Sequence, residues 1–93
     1  MESDRKGKFR QHADILAVMA MGAIQKAHPE LRINFHVAET RLLTASTNGS
    51  QTWTMALKEE APGVTDVTLH NVTATAEHLD AVWSIVEQFA QPQ

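Results

Sequence analysis

The chain has 93 residues, of which 43% are hydrophobic and 20% are charged, and its formal net charge is −3. This length allows one domain and excludes a large multi-step enzyme, while the apolar content is high enough to form a core. The absence of cysteine excludes disulfides, thiolate nucleophiles and thiolate metal sites. The longest apolar run, residues 15–24, is shorter than the roughly 20 residues of a membrane-spanning helix. We therefore expect a soluble cytoplasmic protein.

The charge is unevenly distributed along the chain. Residues 2–10 carry four basic and two acidic side chains, whereas the remainder carries a net charge of −5. We expect residues 1–8 to form a mobile basic arm at the end of a single domain that spans residues 1–93. The candidate anion-binding residues of this segment, which suggest a nucleic-acid partner as the alternative function, are Arg5, Lys6, Lys8 and Arg10. The acidic body lacks the basic face of a duplex-binding domain.

The first predicted element is a helix over residues 8–28, a segment rich in strong helix formers. Pro29 ends this helix, because the residue before a proline is disfavoured in the helical conformation. One side of the predicted helix carries mostly small apolar residues and is expected to pack on a sheet. These residues are Phe9, Ala13, Leu16, Ala20, Ala23, Ile24 and Ala27.

The opposite side of the same helix is also apolar, and it carries Ile15, Val18, Met19 and Gly22. A surface helix is normally polar on this side, so we expect another element to cover these residues. Two candidates are the second helix of the same chain and the same helix of a second copy related by a two-fold axis. We favour the second copy, because symmetric dimers are the commonest oligomers.

The apolar period changes from 3.6 to 2 after the proline, and this change predicts strands. Alternation over residues 31–37 predicts one strand, and residues 42–47 a second strand that merges with the first or follows a turn. Asn48-Gly49 predicts a tight type I′ hairpin turn. An unbroken register would place Thr47 opposite Ser50 and Leu42 opposite Met55. Leu42 would then share the core face with Met55 and its neighbours Trp53 and Leu57.

Two further elements complete the predicted fold. After a loop over residues 59–63, alternation predicts a strand over residues 64–72, and an amphipathic pattern predicts a helix over residues 76–90 capped by Thr73 or Thr75. The expected fold is α+β, with two helices packed on one face of a three- to four-stranded antiparallel sheet in the order α-β-β-β(-β)-α.

The sequence shows no pattern that carries catalysis or holds a cofactor. His36 and His70 are predicted on the outer face of the sheet, where neighbouring strands would bring them together, but no third metal ligand is fixed by spacing. We therefore expect no enzyme activity, no cofactor and no metal site. The outer sheet face is polar, and solvent is its favoured partner over a recognition role. The outer residues considered are Asn34, His36, Thr54, Thr68 and His70.

The α-β-β-β-α order with a central hairpin resembles the topology of the double-stranded-RNA-binding domain. It is also similar to the order found in small nucleoid-associated proteins that dimerise through helices. The first family grips phosphates with a lysine cluster at the start of its second helix. Here residues 73–78, Thr-Ala-Thr-Ala-Glu-His, carry an acid and no lysine. The resemblance therefore implies a fold and departs at the positions that bind RNA.

These observations predict a small non-catalytic protein–protein interaction module, such as an inhibitor, an adaptor or an assembly factor. It would act as a homodimer or as a subunit docked on a larger protein. The predicted interface is the second apolar side of the first helix, because an apolar surface of this kind requires a cover and the rest of the sequence carries no catalytic or cofactor motif.

Overall fold

A computed structural model describes residues 4–90. The chain forms five strands and two helices in the order β-α-β-β-β-β-α. All strand pairs are antiparallel, and the spatial order across the single sheet is β1-β5-β4-β3-β2. The elements are β1 (Arg5–Phe9), α1 (Ala13–Ala27), β2 (Arg32–His36), β3 (Arg41–Thr47), β4 (Ser50–Ala61), β5 (Val64–Asn71) and α2 (Ala76–Phe89). Both helices pack on one face of this sheet, which confirms the predicted α+β class.

The sheet has one strand more than predicted, because the segment expected to be a mobile arm forms β1. This edge strand pairs with β5, with Gly7 opposite Val67 and Phe9 opposite Thr65. Consequently α1 begins at Ala13 rather than at residue 8, and the chain order departs from the α-β-β-β-α topology of the resemblance. The first part of the predicted arm, residues 1–3, lies outside the described residues.

Strand β1 is held by an aromatic contact that the local sequence does not indicate. Arg5, Gly7 and Phe9 face the helices, while Lys6 and Lys8 face outward. The ring centroids of Phe9 and Trp83 of α2 lie 5.8 Å apart. A Cβ atom added to Gly7 would lie only 2.9 Å from Cζ2 of Trp83. Glycine therefore lets the indole ring lie directly against the strand.

The central hairpin has the predicted turn but not the predicted register. Asn48 and Gly49 both have positive φ, 51° and 81°, as a type I′ turn requires, and Thr47 lies opposite Ser50 as predicted. A β-bulge then interrupts the ladder between Ala45 and Ser46, so that Ala45 lies opposite Trp53. The extra residue on β4 is Thr52, whose hydroxyl donates a hydrogen bond to the Ala45 carbonyl at 3.0 Å.

This bulge reverses the facing of the preceding residues, because successive side chains of a strand alternate between the two faces. Leu43 is therefore fully buried beside Met55, and Leu42 faces the outer side opposite Ala56. The predicted assignment of Leu42 to the core is wrong for this reason. The fully buried side chains of the core include Leu16, Ile24, Leu43, Trp53, Met55, Leu57, Val67, Leu69, Leu79, Val82 and Val86.

The other predicted strands and helices are confirmed with shifted boundaries. Strand β4 continues to Ala61, so that the predicted loop over residues 59–63 shortens to a turn at Pro62-Gly63, where Gly63 has a φ of 75°. Of the two candidate caps of α2, Thr75 is the one used, and its hydroxyl accepts a hydrogen bond from the His78 amide at 3.1 Å. Over residues 4–90, neither helix has the length and apolar character needed to cross a membrane.

Candidate functional site

Helix α1 is apolar on two sides, and only one of them is covered within the chain. Its inner side is buried against the sheet, at Ala13, Leu16, Ala17, Ala20 and Ile24. Its outer side leaves Ile15 and Val18 each 54% exposed and Met19 41% exposed, with Gly22 exposed between them. Helix α2 contacts α1 but does not cover these residues. We call Ile15, Val18, Met19 and Gly22 the α1 outer face.

Helix periodicity explains why these residues share one surface. Positions 18 and 19 lie three and four residues after position 15, and position 22 lies four and three residues after them. In a helix with 3.6 residues per turn, residues at these spacings lie on one side. The same period places the small residues Ala13, Ala17 and Ala20 on the opposite side, where they let α1 lie close to the sheet. The amphipathic pattern of an ordinary surface helix is thus replaced by two apolar sides, one of which is available to a partner.

Within residues 4–90, no side chain or backbone packed against α1 requires glycine at position 22. A Cβ atom added to Gly22 would have no neighbouring atom within 4 Å. Glycine in a helix interior costs about 1 kcal/mol relative to alanine. Its structural effect is to make the α1 outer face shallow toward its C-terminal end, where the backbone of another element can approach closely.

Charged residues lie at the two ends of the α1 outer face. Asp14, in the first turn, forms an ion pair with Arg41 of β3, with Arg41 Nη2 3.2 Å from Asp14 Oδ2, and its side chain stays 64% exposed. Lys26, in the last turn, is exposed. Both charges are favourably placed for the helix macrodipole, since an acid lies near the N-terminus and a base near the C-terminus.

The N-terminus of α1 is fixed by Glu59 of β4. The Glu59 carboxylate accepts hydrogen bonds from the Ala13 amide at 2.8 Å and from the Gly63 amide at 3.2 Å, and it lies 3.1 Å from Nδ1 of His12. These backbone hydrogen bonds, with a smaller contribution from His12, lower the pKa of Glu59 to about 2. Glu59 therefore caps a helix that has no side-chain cap of its own and fixes the orientation of the α1 outer face.

An open groove of about 730 Å³ lies beside this capping contact. Its lining includes Glu39, Glu60 and Arg41, together with Ile15 at the edge of the α1 outer face. The groove therefore joins the apolar α1 outer face to a charged surface. We attribute no chemistry to it, because Glu59 is engaged with backbone amides and Arg41 with Asp14.

A second cluster lies at the opposite end of α1, and the sequence did not reveal it. Nε2 of His78 accepts a hydrogen bond from the indole N–H of Trp53 at 3.1 Å, and the His78 ring lies 5.0 Å from that of His28. Burial lowers the pKa of His78, the neighbouring His28 lowers it further, and Glu30 acts in the opposite direction. A local sequence pattern could not indicate this cluster, because Trp53 and His28 are distant from His78 along the chain.

The two outer-face histidines are not brought together. His36 lies on β2 and His70 on β5, and β3 and β4 separate these strands. At about 4.8 Å per strand, the two backbones are roughly 14 Å apart. Nδ1 of His70 instead lies 2.9 Å from the carboxylate of Asp4. Within residues 4–90, no three side chains of metal-binding type are grouped.

The four candidate anion-binding residues do not form one patch. Arg5 faces the helices and forms an ion pair with Asp80 of α2, at 2.6 Å. Lys8 faces outward and forms an ion pair with Glu60, also at 2.6 Å. Lys6 lies on the outer face, and Arg10 lies beyond the end of β1. Nucleic-acid binding stays a prediction, and two of its four cations are already engaged with carboxylates.

The structure defines the protein as a small α+β domain with a five-stranded antiparallel sheet covered on one face by two helices. The sequence matches no known protein family and no curated protein. The α1 outer face and its surroundings are the candidate functional site.

Proposed function

We propose that this protein is a small non-catalytic protein–protein interaction module that acts through the α1 outer face. It serves as an inhibitor, an adaptor or an assembly factor, either as a homodimer or as a subunit docked on a larger protein. The observation that supports the proposal is the exposure of Ile15, Val18 and Met19 on a helix whose other side already forms the core. A chain without cysteine suits the reducing cytoplasm, where we place this activity.

Three large side chains, Ile15, Val18 and Met19, supply most of the apolar area that a partner of the α1 outer face would bury. Complete burial of Ile, Val or Met is worth about 1.5–3 kcal/mol. Covering three side chains that are about half exposed therefore contributes roughly 3 kcal/mol for each copy of the α1 outer face, before the cost of association is subtracted. This contribution is small beside that of a standard interface of about 800 Å² per partner. We therefore expect a weak contact with a second copy, or a tighter one with a partner that also covers surface beyond α1.

The test compares two changes that each place charge on exposed apolar surface. The first is the double substitution Ile15→Glu and Val18→Glu on the α1 outer face. The matched control is Val72→Glu, because Val72 is 50% exposed and lies outside α1. Sedimentation velocity at about 10–500 μM, the range of a weak interaction, reports self-association. Cross-linking in extracts of the native host reports other partners.

The expected result is that the α1 double variant loses an interaction that the wild type and the Val72→Glu variant both keep. Circular dichroism and urea unfolding establish that the variant is folded, which we expect because neither substituted side chain contributes to the buried core. The proposal is overturned if the wild type is monomeric throughout and the α1 variant retains every partner that the wild type retains.

A further inference from the structure

We infer that the partner of the α1 outer face is a second copy of the same chain, with the two α1 helices packed antiparallel across a two-fold axis that passes between Val18 and Gly22. This inference rests on the proposed function and specifies its partner and its geometry. It follows from the order of residues along one row of the helix surface, from the exposure of the charges at the ends of that row, and from the glycine near its centre.

The row consists of Asp14, Val18, Gly22 and Lys26, each four residues from the next. Residues at this spacing form a continuous ridge along a helix. The ridge is acidic at its N-terminal end, apolar in the middle and basic at its C-terminal end. It is therefore complementary to a reversed copy of itself.

An antiparallel arrangement uses this complementarity twice. When two ridges run in opposite directions about the point midway between Val18 and Gly22, Asp14 of each copy comes to the same level as Lys26 of the other copy, and Val18 to the level of Gly22. Two opposite-charge pairs form by symmetry, since a two-fold interface repeats each contact. A parallel arrangement would instead place Asp14 beside Asp14 and Lys26 beside Lys26, which is repulsive.

The packing geometry agrees with this pairing. Interdigitation of the four-residue ridges of two helices gives a crossing angle of about −50°, the commonest class in globular proteins, with axes about 8–10 Å apart. The space left by Gly22, where an added Cβ has no neighbour within 4 Å, receives Val18 of the second copy. Ile15 and Met19 lie beside the ridge and extend the apolar contact.

Both charged groups are available for a contact between copies. In the part of the chain that the structure describes, no carboxylate forms an ion pair with Lys26. Asp14 binds Arg41, yet its side chain is 64% exposed, and a carboxylate has room for a second donor. We therefore expect Asp14 to bridge Arg41 of its own chain and Lys26 of the second copy.

The experiment exchanges the charges between copies. Lys26→Glu alone places Glu beside Asp14 of the second copy, and Asp14→Lys alone places Lys beside Lys26. Because two attractive pairs become repulsive in each case, we expect each single variant to self-associate about 10-fold more weakly than the wild type at low salt. An equimolar mixture of the two variants should recover most of this loss, because their heterodimer has two opposite-charge pairs. The double variant carrying both changes should also recover it.

The control is Lys6→Glu, which makes the same change of charge on the outward side of β1. It should self-associate like the wild type. Circular dichroism of each variant separates loss of folding from loss of association, and recovery in the mixture cannot arise from a folding defect in either component.

The possible outcomes distinguish this inference from the proposed function. If Ile15→Glu with Val18→Glu abolishes self-association but the charge variants behave like Lys6→Glu, the antiparallel pairing is wrong and the proposed function stands. If the wild type is monomeric to about 500 μM and the α1 double variant loses a different partner, the second copy is the wrong partner and the proposed function again stands. Recovery of association in the mixed sample supports the inference.

Discussion

The indole N–H of Trp53 donates a hydrogen bond to Nε2 of His78 at 3.1 Å, and this bond joins strand β4 to the first turn of α2. Trp53 is fully buried, so its N–H has no access to bulk water as an alternative acceptor. Because an indole nitrogen is only a donor, Nε2 of His78 has to be unprotonated for the bond to form. Burial and the neighbouring His28 favour the same neutral state by lowering the pKa of His78.

This relationship predicts that mild acid destabilises the protein through His78. In the unfolded chain His78 has its ordinary pKa of 6.5, whereas in the folded protein its pKa is lower. The His78 contribution to the free energy of unfolding is therefore complete above pH 6.5, and it is lost as the pH falls through the folded pKa, because the unfolded state binds the proton first. Urea unfolding at several pH values between 7.5 and 5 measures this slope.

The variant that tests the origin of the slope is His78→Phe, with His36→Phe on the exposed outer sheet face as its control. His78→Phe should lower the free energy of unfolding by about 1–3 kcal/mol at pH 7.5, because the buried Trp53 N–H loses its acceptor. It should also flatten the pH dependence, whereas the control keeps it. An unchanged slope in His78→Phe would show that another group is responsible.

A second prediction concerns Glu59 and strong acid. The pKa of Glu59 is about 2 in the folded protein and 4.5 in the unfolded chain. The stabilisation by its carboxylate is therefore complete above pH 4.5 and is lost as the pH falls toward 2. Glu59→Gln removes the charge that accepts the Ala13 and Gly63 amide hydrogen bonds. We expect a lower urea midpoint at pH 7 and a weaker dependence on pH between 4.5 and 2.

The matched control for Glu59 is Glu87→Gln on the exposed side of α2, where the same loss of charge removes no cap. Far-ultraviolet circular dichroism during urea titration follows the helices of both variants. Equal midpoints of the two variants at pH 7 would contradict the assignment of Glu59 as the cap of α1.

The register of the central hairpin leads to a third prediction. Leu43 is fully buried beside Met55, whereas Leu42 lies on the outer face. Leu43→Ala should therefore reduce the free energy of unfolding by about 2–5 kcal/mol through cavity formation, and Leu42→Ala should cost less than about 1 kcal/mol. Urea unfolding of the two variants distinguishes the two registers, because the register without a bulge predicts that Leu42→Ala is the more destabilising change.

Features determined by neighbouring residues were predicted from the sequence, and features determined by distant residues were not. The Asn48-Gly49 turn, helix α2 and the apolar inner side of α1 depend on local conformational preference and periodicity, so their patterns are visible in short windows. Strand β1 depends on contacts with β5 and with Trp83, which lie some sixty to eighty residues away along the chain. The bulge near Thr52 likewise has no local signature here.

In the candidate site too, local features could be predicted from the sequence and long-range contacts could not. The α1 outer face was predicted because helix periodicity alone puts Ile15, Val18 and Gly22 on one side. The residue that positions this helix, Glu59, lies 46 residues from Ala13, and the sequence pattern placed it in a solvated loop. Long-range hydrogen bonds of this kind become visible only when the topology brings the end of β4 to the start of α1.

The last prediction compares two glycines that differ in what surrounds them. At Gly7 an added Cβ would lie 2.9 Å from Cζ2 of Trp83 and 3.0 Å from the ring of Phe9, whereas at Gly22 it would meet nothing within 4 Å. Gly7→Ala should therefore reduce the free energy of unfolding by about 1–3 kcal/mol, because two packed aromatic rings have to move. Gly22→Ala should increase it by up to about 1 kcal/mol, because alanine favours the helix. Urea unfolding at low micromolar concentration, where the proposed weak dimer would be dissociated, measures both effects. A destabilised Gly22→Ala monomer would show that glycine is required within the chain itself.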